Sequence, residues 1–166
     1  MIKKPSAGET VRKALWLILA AVILAVVVNL VHPKRIPWIG DWANRIEAQA
    51  VTEKVALVQL SDMLKYLRDD SRMFVDARLS EEYAKAHFPG AVSLPFQTLE
   101  TQSAIVTQVL TSDKPPVVYC TGPECDDSLL LALELRKLGR EDVAVFVGGM
   151  ELWQSELLST EGASAQ

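Results

Sequence analysis

The apolar positions of this chain fall into two regimes. Residues 14–31 read ALWLILAAVILAVVVNLV, with no charge and with Asn29 as the one polar residue. As a helix this run rises about 27 Å, close to the roughly 30 Å of a bilayer's hydrocarbon core. It is apolar on every face, which predicts a transmembrane helix rather than a helix with one buried stripe. Beyond it the pattern shortens. Strand-like runs at 55–58, 73–77, 91–94, 117–119 and 143–147 alternate with helical patterns at 61–68, from Ser80 to the Pro89-Gly90 break, at 96–110, at 128–138, and in a last segment carrying Trp153. Gly139 takes the place of a helix-ending C′ residue. This β–α alternation predicts an α/β domain with a small, mainly parallel sheet.

The flanks of the apolar run give it a direction. Lys3, Lys4, Arg12 and Lys13 precede it, and Lys34 and Arg35 follow. The basic excess predicts a cytoplasmic N-terminus and an extracytoplasmic, periplasmic-type location for the rest of the chain. The run exceeds the roughly 7–15 residues of a signal-peptide core. Its exit, Asn29-Leu30-Val31-His32-Pro33, offers no small-x-small cleavage site. The reading is a single-pass anchor in the inner (plasma) membrane, with Trp16 and Trp38 near its two ends. The expected organisation is a basic cytoplasmic lead (1–13), the transmembrane helix (14–31), and a juxtamembrane linker (32–54). That linker is expected to hold a short helix starting at Asp41, with Trp42 and Ile46 on one face. The α/β domain (55–158) and a flexible polar tail (159–166) follow.

Charge narrows the function classes. From Ile36 onward the chain has 11 Lys and Arg against 20 Asp and Glu, a net of −9. So acidic a domain is poorly suited to nucleic acid. Both cysteines, Cys120 and Cys125, belong to it, and outside the cytoplasm a disulfide between them is permitted. Two thiols with His32 and His87 far off in sequence make no zinc pattern. No metal and no cofactor is expected.

The chemistry centres on Val117-Val118-Tyr119-Cys120-Thr121-Gly122-Pro123-Glu124-Cys125-Asp126-Asp127-Ser128. A strand delivers Cys120 to a short loop, and a helix starts at once. That is where α/β proteins place reactive groups, and where a helix N-terminus favours a thiolate. Three other segments agree. They are Phe74-Val75-Asp76-Ala77-Arg78, the run from Glu82 to Ala91 (EYAKAHFPGA), and Val145-Phe146-Val147-Gly148-Gly149 with Trp153. In this order the four segments resemble the landmarks of the rhodanese (sulfurtransferase-like) domain, over roughly residues 55–158. The resemblance implies a three-layer α/β fold with a five-stranded sheet. It implies Cys120 as the nucleophile that takes a sulfane sulfur as a persulfide, and residues 121–126 as its cradle. Asp76, Arg78 and His87 are implied to be supporting scaffold. The implied partners are a sulfane-sulfur donor and a thiol acceptor, either small or protein-borne.

Two departures matter. Active relatives often carry Arg or Lys in the loop to hold an anionic donor; this loop has Glu124, Asp126 and Asp127. Like charge disfavours the thiolate and repels anions, even where Asp126 or Asp127 caps the following helix. The Cys-x5-Arg arrangement of related phosphatases is missing, because Asp126 stands where the Arg belongs. For Cys125 three readings stay open: a small buried residue, a disulfide with Cys120, or a resolving thiol. The expected function is sulfur transfer through Cys120. The alternatives are a catalytically degenerate binding or regulatory module, and a thiol–disulfide protein using both cysteines.

Overall fold

The structure, a computed structural model, describes residues 7–31 and 45–163. Residues 1–6 of the lead, the linker stretch 32–44 with Trp38, Asp41 and Trp42, and residues 164–166 lie outside the described residues. Contacts divide the chain into two units, Met1–Gly40 and Asp41–Gln166.

The first unit contains helix α1 (Ala7–Val31). It starts seven residues before the apolar run and takes in Lys13, which pairs with Glu9 one turn earlier at 2.9 Å. Over 25 residues it rises about 38 Å. None of its apolar window is buried, and it is long and apolar enough to cross a membrane.

The second unit runs α2 (Arg45–Thr52), β1 (Ala56–Leu57), α3 (Leu60–Asp69), β2 (Met73–Asp76), α4 (Ser80–Lys85) and β3 (Val92–Ser93). A 3-10 helix (Phe96–Thr101), α5 (Ser103–Thr111), β4 (Pro116–Tyr119), α6 (Asp127–Lys137), β5 (Ala144–Phe146) and α7 (Gly149–Ser155) follow. The five strands form one parallel sheet in the order β1-β5-β4-β2-β3. Strands buried on both faces are apolar at successive positions, and side-chain parity then sorts them into two cores. Val75, Val118 and Val145 face a core with Ile46, Val109, Leu129 and Leu135. Their neighbours Phe74, Val117, Tyr119, Ala144 and Phe146 face a second core with Met63, Phe88, Met150 and Trp153. The fold is therefore three-layered. Helices α2, α5 and α6 lie on one face, and α3 and α7 on the other.

Helix α6 ends as its glycine predicts. Gly139 has φ +99, its N–H donates to the Arg136 carbonyl, and the Arg140 N–H donates to that of Leu135. This double bond pattern satisfies the last carbonyls of the helix.

The structure corrects the expected boundaries in four places. Helix α3 begins at Leu60 rather than Ser61, with Gln59 as its N-cap. The stretch expected as one helix over 96–110 is a 3-10 helix followed by α5, with non-helical torsions at Thr98. Helix α2, expected in the linker, belongs to the domain core. Ile46 and Ala50, one turn apart, are 1% and 0% exposed. Residues 159–163, expected as flexible tail, are tied down. The Ser159 carbonyl accepts the Trp153 indole N–H at 2.9 Å. Glu161 pairs backbone to backbone with His87, and the Ala163 N–H reaches the Ala84 carbonyl.

If α2 is core, Ile46→Ala lowers unfolding stability by about 2–4 kcal/mol. Val51→Ala, on the exposed side of the same helix, changes it by less than about 0.5 kcal/mol. Urea unfolding of the full chain in detergent, followed by tryptophan fluorescence, checks both.

Candidate active site

Cys120 leaves the central strand β4 at its carboxyl end and is 2% exposed. The chain then turns sharply, and the Cys125 N–H donates to the Gly122 carbonyl at 3.0 Å. This turn brings the cysteine Cα atoms to 6.1 Å, and the two sulfurs are joined in a disulfide. The spacing is ordinary for such a bond. Cys125 is thus paired with Cys120 here, and neither cysteine is a free thiol.

The far side of the loop is held by α7. The Met150 N–H donates to the Cys120 carbonyl at 2.9 Å, and the Glu151 N–H donates to that of Thr121 at 2.8 Å. Such close approach needs Gly149. Its φ is +57, and a Cβ there would lie 2.5 Å from the Cys120 carbonyl oxygen and 2.7 Å from Thr121 backbone atoms. The Gly148-Gly149 landmark thus has a local cause. Glu151, in the first turn of α7, was not singled out by sequence reasoning. Its side chain lies over Gly122, where an added methyl group would meet the carboxylate carbon at 2.8 Å. Together with residues 121–125 it lines a concavity of about 380 Å3.

The loop acids are not where capping would put them. Asp126 precedes α6 but has helical torsions, φ −73 and ψ −20, and its side chain makes no cap bond. Its carboxylate instead accepts from Arg45 Nη2 at 2.7 Å. Asp127 accepts from Gln97 Nε2 at 2.5 Å. The loop has no Lys or Arg of its own, but α2 brings Arg45 to it from 81 positions away. Both partners of that pair are substantially exposed, so it contributes at most about 1 kcal/mol. Glu124, Asp127 and Glu151 remain, and the surroundings of the disulfide stay negative.

Asp127 also approaches the sulfurs. Its carboxylate and the two Sγ atoms all lie within 4.8 Å of one another. Sequence spacing had offered no such donor set. Cysteine ligates metal as a thiolate, and here each sulfur is committed to the other.

Behind the cysteine sits a buried polar brace. Arg78 donates through Nη2 to Asp76 at 2.6 Å and through Nε at 3.0 Å. The same Nη2 reaches the Ala86 carbonyl at 2.7 Å. Burial alone would lower the pKa of Arg78, but its bonds to Asp76 and that carboxylate's charge reverse the sign and raise it. The Arg78 guanidinium lies 5.8 Å from the centroid of the Tyr119 ring, and that ring stacks on Phe88 at 3.7 Å. The Tyr119 hydroxyl accepts the Phe88 N–H at 3.1 Å, and the Ala77 N–H donates to the Tyr119 carbonyl at 2.9 Å. The residue before Cys120 is thus held from both sides. His87 stacks on Tyr83 at 3.8 Å and places Nδ1 2.7 Å from the Tyr83 carbonyl. Among the described residues its ring contacts run to Tyr83 and Glu161, not to the cysteine loop.

Comparison with known proteins agrees with this geometry. The family described as "Rhodanese-like domain" matches residues 59–156. The chain belongs to the rhodanese-like family. The yeast Meyerozyma guilliermondii has an adenylyltransferase and sulfurtransferase that is 26% identical over 93 residues, 55% of this chain and 22% of that protein. The chain therefore spans about a fifth of that curated relative's length. The crystal structure of the BH2092 protein from Bacillus halodurans superimposes with TM-score 0.60 at 25% identity, covering 73% of this chain and 87% of that one. The thiosulfate sulfurtransferase of Pseudomonas aeruginosa shares the fold at TM-score 0.57 and 20% identity, over 73% of this chain and 23% of its own.

Two measurements test the brace of this rhodanese-like site. Gly149→Ala forces a Cβ onto unyielding backbone and is expected to cost about 2–4 kcal/mol, read as a fall in thermal unfolding temperature. Burial and the nearby Asp76 carboxylate raise the Tyr119 pKa far above its usual value. The unfolded phenol ionises near pH 10, so its stabilising effect is complete below that pH and is lost as pH rises toward the folded value. Above pH 10 stability therefore falls by up to about 1.4 kcal/mol per pH unit from this group. Tyr119→Phe should show a shallower decline in unfolding free energy between pH 10 and 11.

Proposed function

We propose that this is a membrane-anchored rhodanese-like protein that carries sulfane sulfur on Cys120, with Cys125 as the resolving thiol. The observation that carries the reading is the Cys120–Cys125 bond at the carboxyl end of β4. A sulfur pair that reaches bonding distance can exchange within one loop. In the reduced state the Cys120 thiolate attacks the outer sulfur of a persulfide donor. This gives the Cys120 persulfide and releases the donor thiolate. The Cys125 thiolate then attacks the Cys120 Sγ; the S–S bond seen here forms and hydrosulfide leaves. A dithiol reductant, itself oxidised to a disulfide, returns the pair to thiols. Alternatively an external thiol, small or protein-borne, takes the sulfur before Cys125 does.

The anchor is α1, with its N-terminus cytoplasmic and the rhodanese-like domain outside. The length and apolarity of α1 support this, as does the disulfide, which persists in oxidising compartments. The catalytic assignment rests on Cys120, with residues 121–126 as its cradle and Asp76, Arg78 and His87 as support. A thiol–disulfide protein without sulfur transfer is the second reading, favoured by the same bond.

Intact-mass analysis separates the two. The reduced full chain in detergent is mixed with cysteamine persulfide. In Cys125→Ser an adduct of about 32 Da should accumulate and should be missing when Cys120 is also replaced by Ser. The unmodified sequence should pass on to a disulfide about 2 Da lighter than the dithiol, with release of sulfide. A chain that cycles between dithiol and disulfide but never gains sulfur would leave only the redox reading.

A further inference from the structure

We infer that Glu151 sets the charge selectivity of the Cys120 site, admitting uncharged or cationic sulfane-sulfur donors and turning away anionic ones. The inference takes Cys120 as the reacting sulfur, as in the reading above, and adds the class of molecule that reaches it.

The argument starts from the backbone. The first turn of α7 is the natural place for an anion beside the loop, because free N–H groups and the helix dipole meet there. Here those donors are already engaged: Met150 bonds to Cys120 and Glu151 to Thr121. The second bond fixes where residue 151 sits, whatever its exposed side chain does. From that anchor the carboxylate reaches Gly122 and fills the space that its missing side chain leaves open. It lines the same concavity as Thr121, Glu124 and Cys125. Arg45, the one cation brought to the loop among the described residues, is held on Asp126. An approaching anion therefore meets the carboxylates of Glu124 and Glu151 at that concavity, and Asp127 beside the sulfurs themselves. A persulfide on an amine-bearing molecule or on a basic protein segment meets attraction instead. Sequence alone shows that acids follow Cys120. Only the α7 contact shows that a further acid, from another element, joins them at the concavity.

The test needs no sulfur transfer. In the reduced full chain bearing Cys125→Ser, held in a zwitterionic detergent, Cys120 is the one thiol. Its thiolate displaces iodide from iodoacetamide, which is neutral, or from iodoacetate, which is anionic. A shift in thiolate population or a loosened loop changes both rates alike, so the ratio of the two rates isolates the field at the site. Glu151→Gln should raise the iodoacetate rate relative to iodoacetamide by about threefold, and Glu151→Lys by about tenfold. Both effects should shrink toward unity in 1 M salt, where the screening length is only about 3 Å. Glu156→Gln, at the other end of α7, should leave the ratio unchanged. An unchanged ratio in both Glu151 variants overturns the inference, as does a Cys120 that neither reagent reaches. With thiosulfate as donor, Glu151→Lys should also load Cys120 faster than the parent does. If alkylation ratios shift but no donor of any charge loads Cys120, the selectivity stands and the sulfur-transfer reading falls.

Discussion

Two backbone hydrogen bonds tie the end of the central strand to the helix that follows its neighbour: Met150 to Cys120 and Glu151 to Thr121. Bonds of 2.9 and 2.8 Å between a helix turn and a loop leave no room for a side chain at the contact, and this makes Gly149 obligatory. They fix the direction in which the chain leaves Cys120, and with it the turn that brings Cys125 back. They also place the first residues of α7 at the rim of the site. The position of the sulfurs and the charge around them follow from one close approach of main chain to main chain.

The same strand end is held from behind by groups that have little choice of partner. Asp76 is fully buried and Arg78 nearly so. A lone charge in that position would be expensive to desolvate, so each requires the other. Arg78 also donates from Nη2 to the Ala86 carbonyl, which orders the segment leading to Phe88 and the Tyr119 hydroxyl. Removing either charge would disturb the shape of the strand end before it touched the chemistry. Polar scaffold and reactive loop are therefore separate: the first is dry and neutralised, and the second is wet and acidic.

What the sequence showed and what it hid divide along contact range. The runs at Met73–Asp76, Pro116–Tyr119 and Ala144–Phe146 were legible because strands buried on both sides leave continuous apolar letters. Cys120 was legible because a strand, a turn and a helix are adjacent in sequence. Arg45 was not, since its partner lies 81 residues away and no periodicity links them. Helix α2 looked like linker because only Ile46 and Ala50 of its short span are buried. Residues 159–163 looked loose because they are small and polar. Their anchoring comes from the carbonyls of Ser159 and Glu161 rather than from apolar side chains. Glu151 sat in plain view beside the glycine pair, but its meaning depends on where Thr121 is in space.

The disulfide closes a ring across a sequence separation of only five. A link that short removes little freedom from the unfolded chain, roughly 2 kcal/mol on the entropic account, against nearly 5 for a loop of about a hundred residues. Opening it consequently withdraws only a small part of what holds the domain together. Dithiol and disulfide can then share one scaffold, and the electron state of the pair is written in the shape of a few loop residues rather than in whether the protein is folded.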